Sequence, residues 1–302
     1  MNPDTHSESL LVASSAFIET PSGKNTGTEN FPVGSWLLPA HLRPHVALFY
    51  ALARATDDIA DNPNLSPEEK LARLDGFDMA LTGKLIDDSR YEKSIRLLKS
   101  LTDIGITTNH SRDLISAFKQ DAVKLRYRDW NDLMNYCDHS AAPVGRFLLD
   151  LHGEPCGYEA SDALCNALQV INHLQDCKDD YLALDRVYIP ENWLAESGIT
   201  VAALGDTCAS QELRGILDRC LDGVENLLVT ARALPDLLKS RRLAMETEMI
   251  YRVAVRLTQL LRQNDPVAGR VALSPFAFLL CGVKGVSSVL FKFRRNVAHS
   301  GL

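Results

Sequence analysis

The sequence predicts an all-α protein, a single helical domain packed around a central cavity. Three observations predict it. Helical periodicity dominates after residue 40, no alternating run is long enough for a convincing strand, and no linker rich in Gly, Ser or Pro divides the 302 residues. With 46% hydrophobic residues, the chain can fill one large core or two small ones.

The elements follow in order. In 44–60, Val46, Phe49, Tyr50, Ala53 and Ile59 approximate one helical stripe, and Pro44 suits a first turn. Asn62-Pro63-Asn64 ends that helix, and Ser66-Pro67-Glu68-Glu69 starts the next, with Pro at N1 and early acids favouring the dipole. Further helices are predicted near 66–82, 90–103, 109–125, 129–138, 141–152, 159–182, 210–233, 237–263 and 274–291. Residues 1–28 are rich in Ser, Thr, Asn and Glu without an apolar signal core, and read as a flexible lead-in. The helical domain is predicted over 29–295, with a tail at 296–302.

A net charge of −7 argues against a nucleic-acid partner, but not against an anionic substrate, because bound metal ions reverse the local sign. The seven scattered cysteines lack any C-x-x-C and read as reduced thiols, with Cys137 and Cys177 better taken as buried filler than as site groups. No apolar run reaches the ~18 residues a spanning helix needs. The expected location is the cytoplasm, with room for contact at the inner membrane surface. Phe291-Lys292-Phe293-Arg294-Arg295 interleaves aromatics with cations, a pattern suited to an anionic membrane, although a solvated helix end is the simpler reading.

One feature recurs. Asp57…Asp61 and Asp176…Asp180 both read D-x-x-x-D near the predicted C-terminal end of a helix. Residues four apart share a helical face, so each pair projects together. Like charges there repel, and anions near a helix C-terminus oppose the dipole. Two such placements suggest a compensating cation. Oxygen-only ligands point to a hard ion, and phosphates are the usual co-ligands of Mg²⁺. A lone D-x-x-x-D usually means nothing, so the flanks decide. Arg54 precedes Asp57 by one turn and suits either an ion pair or a phosphate oxygen, and Tyr50 lies one turn earlier. Gln169, Asn172 and Asp176 share a face, and Arg186-Val187-Tyr188-Ile189-Pro190 follows closely.

These segments resemble the squalene/phytoene synthase family of head-to-head isoprenoid synthases, over about residues 29–290. The resemblance rests on Y-x-x-x-R-x-x-D-D-I-A-D at 50–61, Y-C-x-x-S-A-x-P-V-G at 136–145, Q-x-x-N-x-x-x-D-x-x-x-D at 169–180 and R-V-Y-I-P at 186–190. It implies the isoprenoid-synthase helical bundle, a prenyl diphosphate substrate and Mg²⁺ held by Asp57, Asp61, Asp176 and Asp180. It also implies that Tyr50, Arg54, Asn172, Arg186 and Tyr188 line the diphosphate end, with Gln169 on the same face and Tyr251 reaching in from a later helix.

The chain departs from the commoner family pattern in two places. It reads Glu29-Asn30-Phe31-Pro32-Val33 near the start, and Asn172-His173-Leu174-Gln175-Asp176 where members usually carry N-I-L-R-D. The first segment and S-A-A-P-V-G at 140–145 are similar to the hydroxysqualene-forming branch. That branch implies presqualene diphosphate plus water going to hydroxysqualene and diphosphate. Phe49, Val144, Phe147, Leu148 and Leu168 are candidates to wall an apolar cavity for the cation. Glu29, Asn30, His173 and Gln175 are candidates to hold the water. The competing expectations are condensation of two farnesyl diphosphates to presqualene diphosphate or squalene, a phytoene or dehydrosqualene synthase, and a non-catalytic Mg²⁺-binding scaffold. Neighbouring pathway enzymes are conceivable partners.

Overall fold

Leu37 opens the described part of the computed structural model, which covers residues 37–299, with side chains described through residue 291. The lead-in at 1–28 and the candidates Glu29 and Asn30 lie outside the described residues. Contacts divide the chain between Lys124 and Leu125 into two compact units. The boundary residues Ala122-Val123-Lys124 carry no Gly, Ser or Pro, so composition does not mark it.

The first unit holds α1 (Arg43–Ala60), α2 (Pro67–Leu81), α3 (Glu92–Asp103) and α4 (Asn109–Asp121). Ser66 starts α2 as expected: its hydroxyl accepts from Glu69 N–H, and the Glu69 carboxylate accepts from Ser66 N–H at 2.9 Å. Ile59, Leu74, Phe77, Leu81, Leu97 and Leu101 are fully enclosed and form this unit's core. Gly76 is required there, because a Cβ would fall 2.1 Å from the Tyr91 ring, which packs edge-on to Phe77.

The second unit runs through β1 (Arg126–Tyr127), α5 (Trp130–Ser140), α6 (Ala142–Leu151), α7 (Tyr158–Gln175), α8 (Cys177–Leu184), β2 (Val187–Pro190), α9 (Glu191–Glu196), α10 (Gln211–Ala231), α11 (Leu234–Leu237), α12 (Arg241–Gln263) and α13 (Pro275–His299). α7 is central, touching α5, α6, α10 and α12. Gly145 lets α6 approach it, since a Cβ there would meet Ser161 Oγ at 2.2 Å. Phe147 and Leu168 are buried in this unit and Phe49 in the first, while Val144 and Leu148 are half-buried.

The all-α expectation holds, with informative local differences. β1 and β2 pair in parallel, Arg126 opposite Val187, where no strand was expected. A two-residue strand is too short to show alternation. The helix expected over 159–182 breaks at Asp176 (φ −106°, ψ 8°) into α7 and α8. The start expected at 237 moves to Arg241, where the Ser240 hydroxyl accepts from Leu243 N–H and caps α12. α4 ends at Asp121, short of the expected 125, and α13 continues beyond the expected 291 to His299. All seven cysteines are free, and burial pushes the Cys177 thiol up to about 12, as filler thiols would be. Among the described residues, no helix is long and apolar enough to cross a membrane.

Candidate active site

The two acidic motifs fall in different units, and each has its own geometry. In the first unit, Asp61 caps the C-terminus of α1, and its N–H donates to the Asp57 carbonyl at 2.9 Å, so the two aspartates stand one turn apart. This is the predicted placement against the helix dipole. The ammonium of Lys70, unremarked in the sequence, offsets part of it by donating to the Ala60 carbonyl at 2.8 Å. Arg54 divides its guanidinium unequally. Its Nη2 lies 2.7 Å from Asp58 Oδ1 and 3.1 Å from Asp57 Oδ2, and Nε donates to Asp58 at 3.2 Å. Asp58 is the buried member and Asp57 the more open one. The sequence shows two acids beside one Arg; Arg54 pairs with both, more closely with the buried Asp58, while Asp57 and Asp61 are the more open of the three. Tyr50 is half-buried on the same helix.

In the second unit, Gln169, Asn172, Asp176 and Asp180 are half-buried, while Val170, Ile171, His173, Leu174 and Gln175 are buried. The α7–α8 junction therefore presents one partly open polar face, as the three-and-four spacing predicts. The dipole argument, however, fails here. Because the helix breaks at Asp176, Asp180 occupies the first turn of α8, where the dipole favours an anion. The Asp180 N–H still donates to the Asp176 carbonyl at 2.8 Å, so the one-turn spacing of the carboxylates survives the break.

Two contacts hold the junction in place. Gln175 is turned inward, and its amide donates to the Val271 carbonyl at 2.5 Å. Next to Val271, Arg270 reaches back to Asp176, with Nε 3.3 Å from Oδ1 and Nη2 3.4 Å from Oδ2. Lys178 adds bonds to the carbonyls of Asp206 and Val267. Arg270 was not foreseen: it lies 94 residues from Asp176, in a loop without a motif.

β2 and the residue before it carry further predicted groups. Arg186 N–H donates to the Asp180 carbonyl at 3.2 Å, its buried guanidinium donates to Tyr188 Oη at 3.4 Å, and Tyr188 joins an aromatic cluster. The His173 ring lies flat on Tyr188, with centroids 3.4 Å apart and planes at 10°. Tyr127 stacks on Tyr188 at 5.3 Å, and Tyr136 stands 5.5 Å from Tyr188 and 6.0 Å from His173. Tyr127 and Tyr136 were not singled out as site residues. β1 and α5 bring them in, through a strand the sequence did not reveal. His173 Nε2 is buried, and among the described residues no group bonds it. Such an atom costs about 1–3 kcal/mol unless a small polar partner meets it. Burial, then the Arg186 charge, lower the His173 pKa to about 3, so the ring is neutral.

Tyr251 lies on α12 and is half-buried. It borders a hollow of about 250 Å³ with Glu225, Arg232 and Gln259, between α10 and α12, and none of Asn172, Asp176, Asp180, Arg186 or Tyr188 lines that hollow.

Among the described residues, no three His, Cys, Asp or Glu side chains converge on a complete metal cage. The donor chemistry nevertheless fits Mg²⁺, which is usually held by one or two carboxylates plus substrate phosphates. A guanidinium stands beside one aspartate of each motif, Arg54 at Asp57 and Arg270 at Asp176, so both sites are built around a positive charge.

Comparisons with known proteins show the family. The squalene/phytoene synthase family model matches residues 24–277. The chain is 39% identical over 279 residues to a hydroxysqualene synthase of Rhodopseudomonas palustris, covering 91% of this chain and 93% of that one. It is 41% identical over 261 residues to a hydroxysqualene synthase of Sinorhizobium fredii, covering 86% and 88%. A phytoene synthase of Mycobacterium tuberculosis is 31% identical over 205 residues, covering 67% and 66%. The crystal structure of squalene synthase HpnC from Alicyclobacillus acidocaldarius superimposes with a TM-score of 0.67 at 28% identity, covering 84% of this chain and 95% of that chain.

Proposed function

The chain belongs to the squalene/phytoene synthase family, and from that premise we propose that it converts presqualene diphosphate and water to hydroxysqualene and diphosphate, with Mg²⁺. The observation that carries the reading is the partly open face of Gln169, Asn172, Asp176 and Asp180 beside the His173–Tyr188–Arg186 cluster. It sets anion-handling groups next to aromatic rings suited to a cation. Relatives named hydroxysqualene synthase, similar over nearly the whole chain, favour this reaction over phytoene synthesis.

In this reading Asp57 and Asp61, and separately Asp176 and Asp180, hold Mg²⁺. Held there, Mg²⁺ would supply positive charge against that developing on a departing diphosphate. In the second unit Asn172, Arg186 and Arg270 would add hydrogen bonds to diphosphate oxygens, and in the first unit Arg54 would serve as a phosphate ligand beside Asp57, the charged bonds being the stronger. The C–O bond to diphosphate breaks, leaving a cyclopropylcarbinyl cation, which rearranges with opening of the three-membered ring to the allylic cation of the squalene skeleton. Water then forms the new C–O bond and loses one proton, so no reductant is consumed.

The protein works in the cytoplasm in this account, and α13 gives it a surface to rest on a membrane. Phe276, Leu279, Leu280, Val283, Leu290 and Phe291 are exposed along one side of that helix.

Substrate choice tests the reaction. With Mg²⁺ and no nicotinamide cofactor, presqualene diphosphate should give hydroxysqualene and farnesyl diphosphate no product. Turnover of farnesyl diphosphate alone contradicts the proposal, and no turnover of either points to a scaffold.

A further inference from the structure

We propose that the ring of His173 is the positioning residue for the attacking water, holding it at Nε2 and taking up its proton as the C–O bond forms. The inference rests on the hydroxysqualene-forming reading and narrows it to one side chain.

Three independent features of the ring point this way. First, Nε2 is enclosed, and among the described residues no group satisfies it. Buried polar atoms in native proteins are met by protein or by ordered small partners, so this nitrogen is built for something small and polar. Second, the ring cannot swing out to find solvent. It is clamped flat on Tyr188 at 3.4 Å, with Tyr136 at 6.0 Å. A fixed ring plane fixes the direction of the nitrogen lone pair. Third, His173 sits beside Asn172 and one turn before Asp176 and Cys177, at the end of the helix that carries the diphosphate-facing groups. A water held there lies on the buried side of α7, one residue from Asn172 along the chain.

The chemistry balances. The neutral ring with its proton on Nδ1 presents Nε2 as an acceptor. Water donates one O–H to it, and an oxygen lone pair adds to the carbocation. The resulting oxonium is a far stronger acid than imidazolium. Even a histidine whose pKa burial and Arg186 depress to about 3 therefore accepts the proton. The imidazolium, disfavoured beside Arg186, then passes the proton to the released diphosphate or to solvent. Of the other candidates, Gln175 already commits its amide N–H to Val271. Glu29 and Asn30 lie outside the described residues.

The test reads hydroxysqualene formed per diphosphate released, which separates capture of the cation from the rate of making it. H173F keeps an aromatic ring on Tyr188 and removes the nitrogen. We expect its alcohol yield per diphosphate to fall at least tenfold, replaced by hydrocarbons formed through proton loss. H173Q, whose amide can again hold water, should recover a substantial share. A wild-type ratio in H173F overturns the proposal while leaving the parent reaction standing. If H173F does not fold by circular dichroism, H173L decides by the same criterion. A wild-type enzyme that releases diphosphate without making alcohol removes both the reaction and this role.

Discussion

The imidazole of His173 lies parallel to the phenol of Tyr188, 3.4 Å from it, on a helix–strand contact that also brings in Arg186. Burial in this stack sets the sign of a pH effect. The His173 pKa is lowered in the folded state, to about 3, whereas an exposed histidine titrates near 6.5. Between those values the unfolded chain binds the extra proton. Stability from this residue is therefore intact above the unfolded value and declines as pH falls, by up to about 1.4 kcal/mol per pH unit. H173F should remove this slope. Thermal melts from pH 4 to 8 should show wild type losing more stability on acidification than H173F, and parallel curves refute the buried neutral ring.

The two acidic motifs sit differently on their helix dipoles, and this predicts opposite stability effects. Asp61 caps the C-terminus of α1, so D61N should leave the melting temperature unchanged or slightly higher. Asp180 lies in the first turn of α8, so D180N should cost about 0.3–1 kcal/mol. Both should lower kcat at least a hundredfold if the carboxylates hold Mg²⁺. Denaturant titration with Mg²⁺-dependent assay of each variant checks both halves.

Asp58 depends on Arg54. Its carboxylate is 8% exposed and bonded by that guanidinium at 2.7 Å. R54A removes the guanidinium that bonds a buried carboxylate and should destabilise by about 1–3 kcal/mol. The double variant R54A/D58N should regain most of that loss. Urea unfolding of the two variants and wild type reads the difference; equal losses in both would show that Asp58 does not need the pair.

Arg270 pairs with Asp176 from a loop that Gln175 fastens at Val271. R270A should weaken binding of inorganic diphosphate with Mg²⁺ roughly tenfold, the effect of one charge-assisted hydrogen bond. Q175A should produce a smaller loss, together with faster amide exchange over 264–274. Calorimetry and hydrogen exchange measure these; unchanged affinity in R270A would confine it to pairing with Asp176.

Contact of α13 with an anionic membrane is testable with vesicles. Removing the residues after Leu290, or introducing L279E/V283E, should each reduce co-sedimentation with vesicles containing phosphatidylglycerol. Unchanged binding contradicts the contact.

Much of this arrangement was legible in the chain. The Asp57–Asp61 and Asp176–Asp180 spacings survive because they depend on local helical geometry, and Ser66 and Glu69 cap α2 because capping is equally local. What escaped depends on distant partners. Arg270 reaches Asp176 through loop 264–274, and Tyr127 reaches Tyr188 through a two-residue strand that leaves no periodic trace. The break at Asp176 was hidden for a related reason. Residues 159–182 keep an unbroken helical pattern, and the contacts of Gln175 and Asp176 with residues 270–271 tie the junction to a remote loop.

The central claim is that water captures a cation left by a departing diphosphate. Incubating the protein with presqualene diphosphate and Mg²⁺ in ¹⁸O water measures this directly. The account predicts hydroxysqualene about two mass units heavier, with the label in its hydroxyl group. Unlabelled alcohol, or squalene-type hydrocarbon as the sole product, contradicts it.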